Sequence, residues 1–389
     1  MRAVVLALPL LACGGQFHPE TLVDSMRVLS VVAEPPEIAP GGSTSLDALE
    51  LDPSRAGGVT SVFWLGCDPD PVDFNRSTCA DVSALLKPST FAELPPDLQL
   101  LGFGTGVHYT APKTLFDRLA SDDPVRMNGT SGPVLMVAVE ALVTPTTALA
   151  DLRTLFGQME RGEVASVLAL TRVLISERTE RNTNPHLESI TVDGAVLPPG
   201  ARVLVREGGS VPLHVAAPAA AREPYTLVLP SGVEAHTEKL VASWYSTHGR
   251  FTEPRVDLDS SVDMRFLGPG AADDPLPPRR FGTLWVVLRD DRGGESYETL
   301  PFYVCDDSPA PRVTAALRPS PGQLTLEGEH LDSILDVAVG PAILERTQYD
   351  SSRGVFSGDL PALPAGTWPL VTRSKGCDVH ETGLSVTVP

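Results

Sequence analysis

The residues of this sequence with the clearest chemistry are its five cysteines, Cys13, Cys67, Cys79, Cys305 and Cys377. An odd number leaves one thiol outside any set of intrachain disulfides. Cys67 and Cys79 lie close together, and Cys305 and Cys377 both fall in the C-terminal third. Two disulfides from these four suit an oxidising compartment. Zinc is the alternative use of such thiols, but there is no Cys-x-x-Cys and no His-x-x-x-His near any cysteine. Acidic pairs form the second group. Asp306 and Asp307 stand where two domains are expected to meet, a place where carboxylate and carbonyl oxygens can hold calcium. The alternative there, and at Asp290 and Asp291, is solvated turn aspartates. Asp68 and Asp70 fit the start of an EF-hand loop, but Val72 and Asp73 then break its pattern.

Catalytic motifs are missing by spacing. Gly129-Thr130-Ser131-Gly132 is not the Gly-x-Ser-x-Gly of a nucleophile elbow. Gly328-Glu329-His330-Leu331 lacks the second histidine of a zinc protease helix. Gly102-Phe103-Gly104-Thr105-Gly106 has no strand–helix unit around it to cradle a phosphate. No catalytic residue and no cofactor is assigned.

Cys13 has a context of its own. One basic residue, Arg2, and the apolar stretch Ala3 to Leu11 precede it, in the order of a secretory signal. The run Leu10-Leu11-Ala12-Cys13 resembles the lipobox of bacterial lipoproteins. The resemblance implies a thiol carrying diacylglycerol, cleavage before Cys13 and acylation of the new N-terminus. It also accounts for the odd cysteine. Gly14, rather than aspartate, follows; by the sorting rule of some lipoprotein systems this implies the outer membrane of a Gram-negative cell. No stretch approaches the about 20 apolar residues of a membrane-spanning helix.

The chain has 389 residues, 42% hydrophobic and 20% charged, with 37 prolines and 33 glycines punctuating short Val/Leu runs. That balance predicts an all-β protein of two or three domains. Its net charge of −19 opposes binding to nucleic acid or to anionic lipid surfaces.

Strand-like runs recur in one order. Arg27–Val32, Ser45–Leu51, Val59–Leu65 and Val134–Ala141 are followed later by Leu187–Val192, Ser210–Val215, Leu240–Tyr245 and Thr283–Arg289. A tryptophan marks the third run each time, Trp64 and Trp244, and a Pro/Gly turn follows the first. This tandem repeat resembles the immunoglobulin-like sandwich, although the cysteine pair that joins the two sheets of antibody domains is missing. A third segment, with Gly322-Gln323-Leu324, Val337-Ala338-Val339-Gly340 and Leu363-Pro364-Ala365-Gly366-Thr367, resembles an IPT/TIG domain, a compact immunoglobulin-like module. Leu149, Leu152, Phe156 and Met159 fall on one helical face, which predicts an insertion over about residues 147–162, either capping an open sandwich end or docking elsewhere.

The expected organisation is therefore a signal (1–12), a tether (13–25), an immunoglobulin-like domain with the insertion (26–182), a second such domain (185–306) and an IPT/TIG-like domain (309–389). Cys67 and Cys79 flank one loop and are expected to pair. Cys305 ends the second domain, and Cys377 lies in the turn before the last strand of the third. In a sandwich of this topology that turn sits at the end where the chain enters, so these two are expected to pair across the boundary. The functional expectation is a non-enzymatic envelope lipoprotein, held to the membrane by its N-terminal lipid and contacting a protein partner. The alternatives are an enzyme accessory subunit or a carbohydrate binder that stacks sugars on Trp244, Tyr245 or Trp285.

Overall fold

The computed structural model describes residues 20–53, 60–71, 98–144, 147, 149–258, 264–270 and 274–389. Cys13, Cys79 and the signal segment lie outside these residues. Strands dominate, and they form three double-sheet units.

In the first unit the strands are β1 (Arg27–Glu34), β2 (Glu37–Ile38), β3 (Ser43–Leu51), β4 (Ser61–Cys67), β5 (Leu98–Phe103), β6 (Gly106–Thr110), β7 (Thr130–Val139) and β8 (Ser166–Ile175). One sheet runs β1-β3-β6 and the other β2-β8-β7-β4-β5. Every pair is antiparallel except β2 with β8. The chain crosses between the sheets at Glu34-Pro35-Pro36, through a cis Glu34–Pro35 peptide. Inward residues Leu46, Trp64, Tyr109, Met136 and Ile175 build the core, and the Trp64 indole donates to Gly104 O at 2.8 Å.

The second unit repeats this order. Its strands are β9 (Ser189–Val192), β10 (Ala195–Val196), β11 (Val203–Arg206), β12 (Ser210–Ala216), β13 (Pro224–Leu229), β14 (Gly232–Thr237), β15 (Val241–Ser246), β16 (Arg250–Phe251), β17 (Arg255–Asp257), β18 (Met264–Leu267), β19 (Phe281–Arg289) and β20 (Glu295–Cys305). Sheet β10-β9-β12-β18-β16 faces sheet β11-β20-β19-β15-β17, and β11 runs parallel to β20 as β2 does to β8. The four recurring runs of the sequence thus take the same four places: β1 and β9, β3 and β12, β4 and β15, β7 and β19. The hairpin β13–β14 has no counterpart among the described residues of the first unit.

The third unit holds β21 (Arg312–Ser320), β22 (Gln323–Glu329), β23 (Ile334–Val339), β24 (Ala342–Ile343), β25 (Glu345–Asp350), β26 (Val355–Asp359), β27 (Gly366–Ser374) and β28 (Val379–Val388). Its sheets are β21-β22-β26-β25 and β24-β23-β27-β28, a seven-strand immunoglobulin-type plan with one short added strand. The protein is all-β, built of tandem immunoglobulin-like sandwiches.

Among the described residues two α-helices interrupt the strands, α1 (Pro124–Asn128) and α2 (Leu149–Glu160). Asp123 caps α1 by accepting from Val125 N at 2.9 Å. The longer helix does not close an open sandwich end. It lies on the outer face of the β4–β7 sheet, where Leu155, Phe156 and Met159 meet Phe63, Leu65, Leu135 and Val137. Phe63 and Phe156 sit edge to face, 6.3 Å between centroids. This explains why β4 and β7 are buried on both faces and read as continuous apolar runs.

Trp244 is 1% exposed and fills the second core beside Phe251. Trp244→Ala should remove about 3–5 kcal/mol of stability. Urea unfolding followed by circular dichroism is expected to show an early transition for the second unit, and an unchanged profile would contradict this packing.

Candidate functional site: the junctions between the units

The titratable side chains that the fold brings together lie between the first and second units. Arg292 sits in the turn joining β19 to β20. Its guanidinium donates to Glu37 of β2, in the first unit, and to Glu238, just after β14, at 3.1 Å. The side chains are nearly sealed from solvent: Arg292 is 7% exposed, Glu37 0% and Glu238 1%. Glu37 is saturated further by Asn182 N at 2.7 Å and by the Ser176 hydroxyl. Asp290, expected to be a solvated turn residue, is instead half-buried and folds its own turn. It accepts from Arg292 N and Gly294 N, both at 2.8 Å, and from Asn182 Nδ2 at 3.1 Å.

A polar seam continues from this cluster. Ser30 Oγ donates to Glu295 at 2.6 Å, Arg289 donates to Leu29 O at 2.6 Å, and Asn184 Nδ2 reaches Ala33 O at 2.7 Å. On the other side, Asn128 at the end of α1 exchanges two hydrogen bonds with Val228 of β13, at 2.7 and 2.8 Å. The hairpin β13–β14 therefore acts as a clasp on the first unit. Between clasp and seam lies a cleft of about 480 Å³, lined by Asn128, Arg172, Arg178, Tyr225 and Arg292. Arg178 is tied down by Met127 O and Thr226 O, at 2.5 and 2.7 Å.

Apolar packing completes the contact. Val23 and Leu29 cover Trp285 and Val287, with Tyr245, Leu49 and Leu51 at the edges. Two expectations change here. The segment read as a tether is docked from Glu20 onward: Val23 N donates to Ser246 O at 2.8 Å and Ser246 N to Thr21 O at 2.9 Å. The aromatic platform is also absent, because Trp244 is core and Trp285 and Tyr245 are covered by the first unit. A strand with one apolar face toward its own core and another toward a neighbour looks, in sequence, like any central strand, so nothing marked this surface.

The second junction is covalent. Cys305 and Cys377 form a disulfide with Cα atoms 5.5 Å apart. The pairing expected from topology is thus present. Asp306 N donates to Lys375 O at 2.9 Å. Gly376 passes so close to the linker that a Cβ there would meet Ser308 O at 3.2 Å. Asp306 is an acceptor for Ser308 N at 2.9 Å. Burial raises its pKa, but the hydrogen bonds from Ser308 outweigh that and hold it below the ordinary value. Asp307 is exposed. Among the described residues no group of three or more His, Cys, Asp or Glu converges to hold a metal ion, and Asp306 has the role of a turn residue. Cys67 is disulfide-bonded; its expected partner, Cys79, lies outside the described residues.

No family model matches the chain, and no curated protein matches it in sequence. Solved structures resemble it distantly. One, crystallised with a xylogluco-oligosaccharide, is 10% identical with a TM-score of 0.19; the match covers 93% of this chain and 60% of that one. SGBP-B of the Bacteroides ovatus mixed-linkage glucan utilization locus, in complex with a mixed-linkage heptasaccharide, is 10% identical with a TM-score of 0.16, over 94% and 70%. The N-terminal Ig1-2 module of a Drosophila receptor protein tyrosine phosphatase is 12% identical with a TM-score of 0.21, over 72% and 100%. At these scores the likeness carries no functional argument.

Burial, opposed by the Glu223 amide, pushes the Glu238 carboxyl from its ordinary 4.5 up to about 7. The folded protein therefore keeps a proton that the unfolded chain releases. This contribution to stability is complete below pH 4.5 and is lost as pH rises through about 7. Glu238→Gln keeps the acceptor and removes the titration. The variant's urea midpoint should fall less than the parent's across that interval, and parallel pH profiles would rule the assignment out.

Cys305→Ser should free the linker. Limited proteolysis is expected to cut between residues 305 and 311 faster than in the parent, and equal rates would remove the disulfide's role as a staple.

Proposed function

We propose that this chain is a non-enzymatic lipoprotein of the cell envelope, anchored through Cys13, that holds three β-sandwich units as one stiff arm for contact with a protein partner. The observation that carries this reading is that both junctions are fastened. The first is packed around the buried Arg292 cluster and the Trp285 face, and the second is pinned by the Cys305–Cys377 bond. Independent domains on flexible linkers have small polar contacts and move against each other. A chain that instead fixes its units presents their outer faces in a constant relation, which suits recognition of a large partner. The disulfides fit an oxidising, exported setting. The net charge of −19 favours a protein partner over nucleic acid. The lipobox-like run places Cys13 ahead of the docked segment that begins at Glu20, so the arm would start close to the lipid. Several acyl chains hold a protein firmly where a single one does not.

Growth with an alkyne fatty acid tests the anchor. The parent protein should label and fractionate with membranes, whereas Cys13→Ser should remain uncut and unlabelled. Equal labelling of the two proteins would overturn the assignment.

A further inference from the structure

The second and third units touch at their disulfide but part beside it, leaving a cleft of about 690 Å³. Much of its lining is apolar. Val196, Pro198 and Leu204 come from the second unit, and Ile343, Val371 and Val379 from the third. Val196 and Val379 are 62% and 57% exposed, so two β-branched side chains face solvent across a concave gap. This volume is that of a small-molecule site, for which about 300–1,000 Å³ is usual.

One side of the cleft is charged in an unbalanced way. Arg202 donates to Asp336 across the junction and stacks on Phe281, 5.5 Å from the ring centroid. Arg373 stands directly opposite Asp336 in the β23–β27 register. The Asp336 carboxylate is held by Arg202. The Arg373 side chain makes no hydrogen bond or ion pair among the described residues, and its Nε is buried without a partner. Burial lowers the pKa of Arg373; burial and then the charge of Arg373 lower that of Arg202. The other charged residue on the walls, Asp193, is exposed at the rim. The chain carries 49 acidic residues against 30 arginines and lysines, so a half-buried arginine without a counter-ion is conspicuous. An unmet buried donor is costly, and a planar oxyanion is what a guanidinium fork fits best.

We infer that this cleft binds a small organic carboxylate with an apolar body, the carboxylate on Arg373 and the body between the valine-lined walls. An inorganic anion would leave those walls wet, and an uncharged apolar compound would leave Arg373 unmet. The Cys305–Cys377 bond lies close to Arg373 and Val379 in sequence and fixes the walls before the ligand arrives, which lowers the cost of binding.

Calorimetry with decanoate, 2-naphthoate and decanol tests this on the full-length protein. Decanoate or 2-naphthoate should bind, and decanol should bind at least about tenfold more weakly than decanoate. Arg373→Met should bring decanoate down to the level of decanol, and Arg373→Lys should restore part of the difference. Val196→Asp, at an exposed position, should weaken both carboxylates and leave thermal melting unchanged. The inference is overturned if neither carboxylate binds at millimolar concentration, if decanol matches decanoate, or if Arg373→Met binds decanoate like the parent.

Discussion

A charge taken out of water must be met by another, and in this protein the charge is Arg292. It is shared between Glu238 of its own unit and Glu37 of the neighbouring one. A buried ion pair adds little stability over a well-packed apolar contact, but separating its members is expensive. Parting the first and second units would take Arg292 away from Glu37, whose other partners, Ser176 and Asn182, are uncharged. The units are therefore bound less by the strength of the pair than by the cost of breaking it. Much else follows from that requirement. Asp290 shapes the turn that delivers Arg292, Asn182 ties the connector to both sides, and the crossing at Pro35-Pro36 sets Glu37 on a strand that faces the junction.

The two junctions solve the same mechanical problem by different physics. The first buries area, with Trp285 and Val287 under Val23 and Leu29, and surrounds that area with satisfied polar groups. The second relies on a covalent bond at one end and on the Arg202–Asp336 pair. That economy leaves the adjoining surfaces apart and creates a cleft, which a fully packed junction would have filled.

Much of the fold was legible in the sequence because strands and their turns are local. The tandem order of runs, the tryptophan on the third strand of each repeat and the helical face of Phe156 and Met159 all appear where periodicity placed them. The Cys305–Cys377 pair was legible too, since sandwich topology brings the last hairpin turn to the chain's entry. What escaped was non-local. Glu37 and Arg292 are separated by 255 positions, and neither has a neighbour in sequence that hints at the other. The segment at Thr21–Val23 has no period because it makes a single bridge rather than a strand. The outer face of β19 looked like an ordinary buried strand, although the neighbour burying it is another unit.

That single bridge has a mechanical consequence. The chain passes from its N-terminal end to Leu22, which pairs with Ser246 at the end of β15, before it enters the first unit at β1. Tension applied upstream of Glu20 is therefore carried first into the middle of the array. The first unit hangs as a side branch of the load path, shielded until the Leu22–Ser246 bridge gives way. Since that bridge is short, it would act as a fuse, yielding early and lengthening the leash before any sandwich is strained.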